Sequence, residues 1–353
     1  MSQYCDKIVC NNPTCEGSQD ALPRISLIIV VRNERAFVGK ALESLTDQDY
    51  PPELLEILLV DGMSSDGTRE ILKQSTEDLI RRGWNVRLYD NPRLILATGW
   101  NIALREARGE LVCRIDAHSE LYPDYIRKGV VILRRNSEKT AGVGGVLEHY
   151  GKGLVGEAIA DLLASRFAVG NSPFRTDKDK RPRFQECCET DTAVYALYPR
   201  SLFEEVGYFD ETLARNQDVE FHNRAKERGY TFLTCPQMRI KYHVRNTARA
   251  LMKKAYSDGY WTAFLEKASF RHRVPGFFAL YLICSIVIYG MIPWNSSNVL
   301  ILLAWSIPLL LYLLLLLLHS VKDGNKMSRY LLLGLFPLFH LSYGVGFLKG
   351  MLV

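Results

Sequence analysis

The chain predicts an α/β fold, a mostly parallel sheet with helices on both faces, followed by an interfacial helix and a C-terminal helical transmembrane region. Three observations predict it. Short, continuous apolar runs alternate with segments of helical periodicity between residues 25 and 115, the pattern of a parallel sheet buried on both faces. The last of those runs stops abruptly at Asp116-Ala117-His118. Charge then thins out, and residues 277–353 are dominated by Leu, Ile, Phe and Tyr.

In chain order, Pro23 precedes Ile25-Ser26-Leu27-Ile28-Ile29-Val30-Val31, a run suited to a fully buried strand. Residues 36–45 carry apolar side chains at helical spacing. A second strand over 54–60 ends at Asp61-Gly62, and Asp66-Gly67 leads into a helix over 68–80. A short strand at 86–89, a helix over 97–107 and a strand over 109–115 complete the series. Ligands of such sheets bind beyond the carboxyl ends of the strands, so Asn33, Glu34, Asp61 and Asp116 share one cleft. Past Pro123 the pattern loosens. Residues 140–156 are glycine-rich, and the polar stretch 171–183, with two prolines, reads as a mobile loop.

Residues 248–268 place Leu251, Ala255, Tyr256, Tyr260, Trp261 and Phe264 at helical spacing, with Lys253, Lys254 and Lys267 on the other side. This is the pattern of a helix lying in a membrane interface. A helix packed on a core shows the same stripe, and the adjoining membrane segments decide for the interface. Segments 277–294, 298–318 and 330–348 contain no Asp, Glu, Lys or Arg, and each approaches the about 20 residues needed to cross a bilayer. The connection 321–329 holds Lys322, Lys326 and Arg329. By the positive-inside tendency it shares the cytoplasmic side with the N-terminal domain, which predicts a multi-pass plasma-membrane protein. His340, inside the third span, reads as a helix–helix hydrogen-bonding residue. The predicted organisation is a flexible tail (1–22), a soluble domain (23–247), an interfacial helix region (248–273) and a transmembrane region (277–353).

The 353 residues include 44 Lys and Arg against 39 Asp and Glu, a net charge of +5, too modest to call for nucleic acid. The bases that cluster before the membrane segments (Arg249, Lys253, Lys254, Lys267, Arg271 and Arg273) suit an anionic lipid surface. No apolar segment opens the chain, so no cleavable signal peptide is predicted. Cys5, Cys10 and Cys15 lack the close pairing of a zinc ribbon, and the scattered cysteines read as reduced thiols.

Chemistry concentrates at the strand ends. Asp116 and His118, one residue apart on an extended chain, lie on the same side and can converge on one cation. Asp218 opens a helical segment over 218–228. A helix N-terminus favours its charged form, fit for a modest general base, whereas a lone Asp there is otherwise a cap.

These pieces together resemble a family 2 nucleotide-sugar glycosyltransferase with the Rossmann-like GT-A fold. The first strand with Asn33-Glu34-Arg35 resembles that family's opening strand and turn. The stretch L-L-V-D-G-M-S-S-D-G-T over 58–68 is similar to its V-D-D-G-S-x-D-G-T motif. R-I-D-A-H-S occupies the place of its D-x-D motif, and N-Q-D-V-E-F-H-N-R over 216–224 resembles its E-D motif ahead of an arginine. The D-A-H variant with a hydrophobic C-terminus is most similar to the branch that builds exopolysaccharide repeat units of the succinoglycan type. Two departures stand out: Gly62 replaces the second acid of V-D-D-G, and His118 replaces the last Asp of D-x-D.

The resemblance implies a divalent metal at Asp116 and His118, with Mn²⁺ preferred over Mg²⁺ because imidazole suits it better. His243, in I-K-Y-H-V-R-N, is a candidate third ligand or an ordinary surface or core histidine. Asn33, Glu34, Asp61 and Asp116 would meet the base and ribose of a nucleotide-sugar donor. Arg224 or Arg245 would meet its diphosphate with a planar fork. Asp191, in E-T-D-T, would hold acceptor or donor sugar, and Asp218 would act as base. One base and no nucleophile imply a single inverting displacement. The expected activity moves sugar from a UDP- or GDP-sugar to a polyprenyl-diphosphate-linked saccharide, in exopolysaccharide or cell-surface glycan biosynthesis. Direct transfer to polyprenyl phosphate is the near rival, and a non-catalytic nucleotide-binding membrane scaffold the remoter one. A processive synthase is disfavoured, since Q-x-x-R-W is absent.

Overall fold

The computed structural model describes residues 21–265, 270–292, 298–325 and 327–353. The N-terminal cysteines, Lys267, Ala268, residues 295–297 and Lys326 lie outside the described residues. The chain divides into two compact units. One holds Met1–Glu148, Pro173–Thr176 and Pro182–Tyr242; the other holds His149–Ser172, Asp177–Arg181 and His243–Val353.

In the first unit the strands β1 (Ile25–Val31), β2 (Leu55–Asp61), β3 (Asn85–Asp90) and β4 (Leu111–Asp116) are parallel, in the order β3-β2-β1-β4. β1 and β2 are buried along their whole length, as their largely apolar runs lead one to expect. The helices α1 (Val38–Thr46), α2 (Thr68–Arg81) and α3 (Leu96–Glu106) alternate with them. They follow the predicted spans to within one or two residues.

The sheet then turns mixed. β5 (Ser119–Leu121), β6 (Thr140–Tyr150), β7 (Cys188–Glu189), β8 (Leu197–Pro199) and β9 (Thr231–His243) extend it in the order β4-β8-β6-β9-β5. β8 is antiparallel to β4, and β5 and β7 are antiparallel to β9. The sheet is thus parallel only in its first half. The glycine-rich stretch, to which the sequence assigns no element, holds β6, buried over its first ten residues. A Cβ at Gly144 would collide with the Val194 carbonyl, and one at Gly145 with that of Met238. These glycines permit close backbone approach rather than a turn.

Between these strands lie α4 (Tyr125–Arg135), α5 (Gly153–Ala164), α6 (Arg166–Val169), α7 (Ser201–Val206) and α8 (Gln217–Glu227). Pairing of Cys188 with Thr234 sets Cys187 opposite Cys235, and the two form a disulfide. This corrects the expectation of reduced thiols at both positions; a separation of 48 residues gave no sign of it.

In the second unit α9 (Ala248–Thr262) precedes α10 (Phe270–Met291), α11 (Val299–Asp323) and α12 (Ser328–Met351). The last three are long and apolar enough to cross a membrane. α9 buries Leu251, Ala255 and Gly259. A Cβ at Gly259 would strike the Tyr343 carbonyl, and one at Gly346 that of Tyr256. The stripe read as interfacial therefore packs on α12, with small residues letting two backbones close up. The unit also takes in α5, predicted as part of the soluble domain. Asp161 of α5 accepts from the Ser328 hydroxyl at 2.5 Å, and the His340 ring bonds the Phe167 carbonyl at 3.0 Å, the helix–helix role predicted for that residue.

At the sheet end opposite the cleft, buried Glu56 accepts from Ser26 Oγ and the Arg108 amide, both at 2.6 Å, and pairs with Arg87. Glu56→Ala strands these donors. Its stability in urea should fall by about 3–5 kcal/mol, the cost of breaking a buried pair from one side.

Candidate functional site

The parallel register builds the cleft. Val31 pairs with Asp61, Val30 with Asp116, and Asp61 with Asp90, so the last residues of neighbouring strands stand side by side. The two loops above β1 and β2 are laced together. Asn33 holds a left-handed φ of 55°, tolerated by asparagine. Its Oδ1 accepts from the Ser65 amide at 2.9 Å, and its own amide donates to Ser64 Oγ at 3.0 Å. The Glu34 amide donates to Thr68 Oγ1 at 2.9 Å.

Asp61 is fully buried and meets the Arg69 guanidinium at 2.8 Å. Arg69 also reaches Asp90 at 2.7 Å, and its hydrogen bond holds the Asp90 carboxyl below the usual range. Arg69 thereby ties the ends of β2 and β3 together. On the other side of β1, His118 Nδ1 lies 3.8 Å from Glu34 Oε1, and its ring meets Tyr242 edge-on at 4.8 Å. The Asp116 Oδ2 atom accepts from the Tyr195 hydroxyl at 3.0 Å.

Two residues before Asp116, Arg114 is nearly buried, and its Nη2 donates to Asp218 Oδ2 at 3.0 Å. The guanidinium also lies over the rings of Trp100 and Phe209, 5.1 and 5.5 Å from their centroids. Burial pushes the Asp218 carboxyl up, but the Arg114 guanidinium more than offsets this and holds it below its ordinary value. The Asp218 Oδ1 atom accepts from the Val219 amide. His222, one helical turn on, is fully buried between Thr192 Oγ1 at 2.7 Å and the Tyr198 hydroxyl at 2.9 Å.

The structure brings Asn33, Glu34, Asp61, Asp116 and His118 to the strand ends and joins Asp218 to them through Arg114. Asp191 and Arg224 are engaged by neighbours of their own. Asp191 is 76% exposed and pairs with Lys226 at 3.6 Å. Arg224 donates to Glu220 and to the carbonyls of Val206 and Tyr208. Its guanidinium braces the segment after α7, which corrects the expectation of a fork open to a diphosphate. His243 and Arg245 belong to the second unit, where His243 lies 6.2 Å from the Tyr150 ring. Arg69, Asp90, Arg114, Tyr195 and His222 were not singled out in the sequence. Arg114 had a signal, a charge inside an apolar strand. His222 shares a helix face with Asp218, and Tyr195 had none.

Residues 26–207 match the family described as glycosyl transferase family 2. The chain is 25% identical over 338 residues to the dolichyl N-acetyl-alpha-D-glucosaminyl phosphate 3-beta-D-2,3-diacetamido-2,3-dideoxy-beta-D-glucuronosyltransferase of Methanococcus voltae, covering 93% of this chain and 97% of that protein. It is 28% identical over 233 residues to the succinoglycan biosynthesis protein ExoA of Rhizobium meliloti, covering 65% of this chain and 66% of that protein. Among solved structures it is similar to the mannosyltransferase PcManGT from Pyrobaculum calidifontis, in complex with GDP-Man and Mn²⁺. That likeness has a TM-score of 0.60 at 19% identity and covers 93% of this chain and 88% of that one. It establishes the GT-A fold.

Burial drives the His222 pKa down to about 3, with Asp218 pulling the other way, so the ring is neutral. The unfolded chain binds a proton near pH 6.5 that the folded one refuses, and stability drains away as pH falls from there. The wild type should lose more melting temperature between pH 7.5 and pH 5 than His222→Gln, as read by thermal unfolding.

Proposed function

The chain belongs to glycosyltransferase family 2, and on that premise we propose that it moves a sugar from a UDP- or GDP-sugar to a lipid-linked saccharide at a membrane surface. The observation that carries this reading is the end of β4. Asp116 and His118 follow Arg114 on one strand, and Arg114 holds Asp218 at 3.0 Å. A donor end and an acceptor end thus share one support.

The donor set fits a divalent cation. Asp116 offers oxygen, His118 nitrogen, and Glu34 stands within 3.8 Å of the imidazole. Among the described residues no group of three or more His, Cys, Asp and Glu is placed to hold a metal ion. A cation at Asp116 and His118 would therefore need its remaining donors from the diphosphate of the nucleotide sugar; imidazole favours Mn²⁺ over Mg²⁺. Bound there, the cation would stabilise charge growing on the departing diphosphate.

The chain's own residues supply the rest. Asp61, fixed by Arg69 and the Ser64 amide, presents a rigid acceptor at the nucleobase end. Asp218 takes the proton of the acceptor hydroxyl as its oxygen bonds the sugar's anomeric carbon and the nucleoside diphosphate departs. Arg114 keeps it ionised and aimed, and one base without a nucleophile gives inversion.

The acceptor class rests on the membrane helices and on relatives. The Methanococcus voltae protein is named for a dolichyl-borne sugar phosphate, and ExoA for succinoglycan biosynthesis. With Lys322 in the last turn of α11 and Arg329 in the first turn of α12, the catalytic unit is read as cytoplasmic and the product as a cell-surface glycan.

The test is a screen of nucleotide sugars with the full chain in vesicles, reading nucleoside diphosphate release with and without lipid-linked acceptor. Release should depend on acceptor and stop with a chelator. Asp218→Asn should lower turnover by about 10²–10⁴-fold at unchanged donor affinity. Near-normal turnover would remove Asp218 as the base. Turnover unaffected by chelator would reject the metal.

A further inference from the structure

Tyr195 holds a left-handed backbone, φ 50°, which a bulky residue avoids. Such a conformation persists only where the surroundings over-determine it. Here they do. Tyr195 is 5% exposed, and its carbonyl accepts from the Tyr125 hydroxyl at 2.8 Å and from the Cys113 thiol at 3.6 Å. At the other end its hydroxyl lies 2.6 Å from Ser119 Oγ and donates to Asp116 Oδ2 at 3.0 Å. Cys113 and Asp116 belong to β4 and Ser119 opens β5, so one residue, by its carbonyl and its hydroxyl, spans the end of the strand.

Among the described residues, the Tyr195 hydroxyl gives the Asp116 carboxylate its one side-chain hydrogen bond. An ionised carboxylate only accepts hydrogen bonds, so the phenol facing it is the donor. A carboxylate with one oxygen pinned has its plane fixed before any ligand arrives. Hydrogen bonds of this kind orient metal-binding side chains, and their loss weakens metal binding.

We infer that Tyr195 is a positioning residue, which aims the Asp116 carboxylate at the cation and diphosphate of the donor complex. The inference rests on the reading of Asp116 as a ligand. It goes beyond that reading by naming the group that presets its geometry, in the segment between β7 and β8.

The test is a titration of Mn²⁺ into the full-length protein with saturating UDP or GDP, followed by electron paramagnetic resonance. Tyr195→Phe should weaken Mn²⁺ by about 10–100-fold, with turnover recovering at high Mn²⁺ and far-ultraviolet dichroism unchanged. Unaltered Mn²⁺ affinity in Tyr195→Phe, alongside weakened affinity in Asp116→Asn, would overturn the inference alone. Unaltered affinity in both variants would overturn the reading of Asp116 and the inference with it. Should Tyr195→Phe fail to fold, Ser119→Ala removes the partner that polarises the hydroxyl. It should weaken Mn²⁺ by about two- to tenfold, and wild-type affinity there would equally overturn the inference.

Discussion

The ion pair between Arg114 and Asp218 is the interaction on which the site depends. A guanidinium 13% exposed within a sheet strand is costly unless its charge is matched and its faces are covered. Asp218 supplies the charge, and the rings of Trp100 and Phe209 supply the cover. In return Arg114 fastens α8 to β4 two residues before Asp116. It also keeps a partly buried carboxylate ionised against the pull of burial. His222, neutral beneath Asp218, completes the floor through Thr192 and Tyr198. Replacing one member therefore disturbs both the shape of the cleft and its proton chemistry.

The two halves of the first unit were unequally legible. β1 and β2 are buried parallel strands whose largely apolar runs declare them, and the shorter, partly exposed β3 and β4 follow from their alternation with helices. β6 hides its nature behind glycines that exist to admit the backbones of Val194 and Met238. β7 and β8 are two and three residues long, too short to leave a period. The same contrast runs through the site. Asp61, Asp116 and Glu34 announce themselves because strand ends and loop chemistry are local. The Arg114–Asp218 and Tyr195–Asp116 contacts join residues 104 and 79 positions apart, and no spacing encodes them. Arg224 misleads for a related reason. Its motif position suggests a ligand, whereas two loop carbonyls and Glu220 occupy its guanidinium.

The second unit follows a different logic. Hydrophobicity alone identifies α10 to α12 but not their packing, because lipid tails are as apolar as the helix surfaces. Small residues decide it: Gly259 and Gly346 leave no room for side chains between α9 and α12. Polar ties reinforce this where α5 and α6 meet the hairpin of α11 and α12. Asp161 holds Ser328, and the Phe167 carbonyl holds His340. The helix that resembles an interfacial stripe is thereby drawn into the bundle.

The central claim is that Asp218 is the base and that Arg114 sets its proton affinity. The most direct measurement is the pH dependence of turnover in the wild type and in Arg114→Met, which keeps the apolar stem and removes the charge. In the wild type the acid limb should lie below the ordinary carboxylate range, since Arg114 depresses the Asp218 pKa. In the variant burial is unopposed by the guanidinium, and the limb should move to higher pH. An acid limb at the same pH in both proteins would contradict the account.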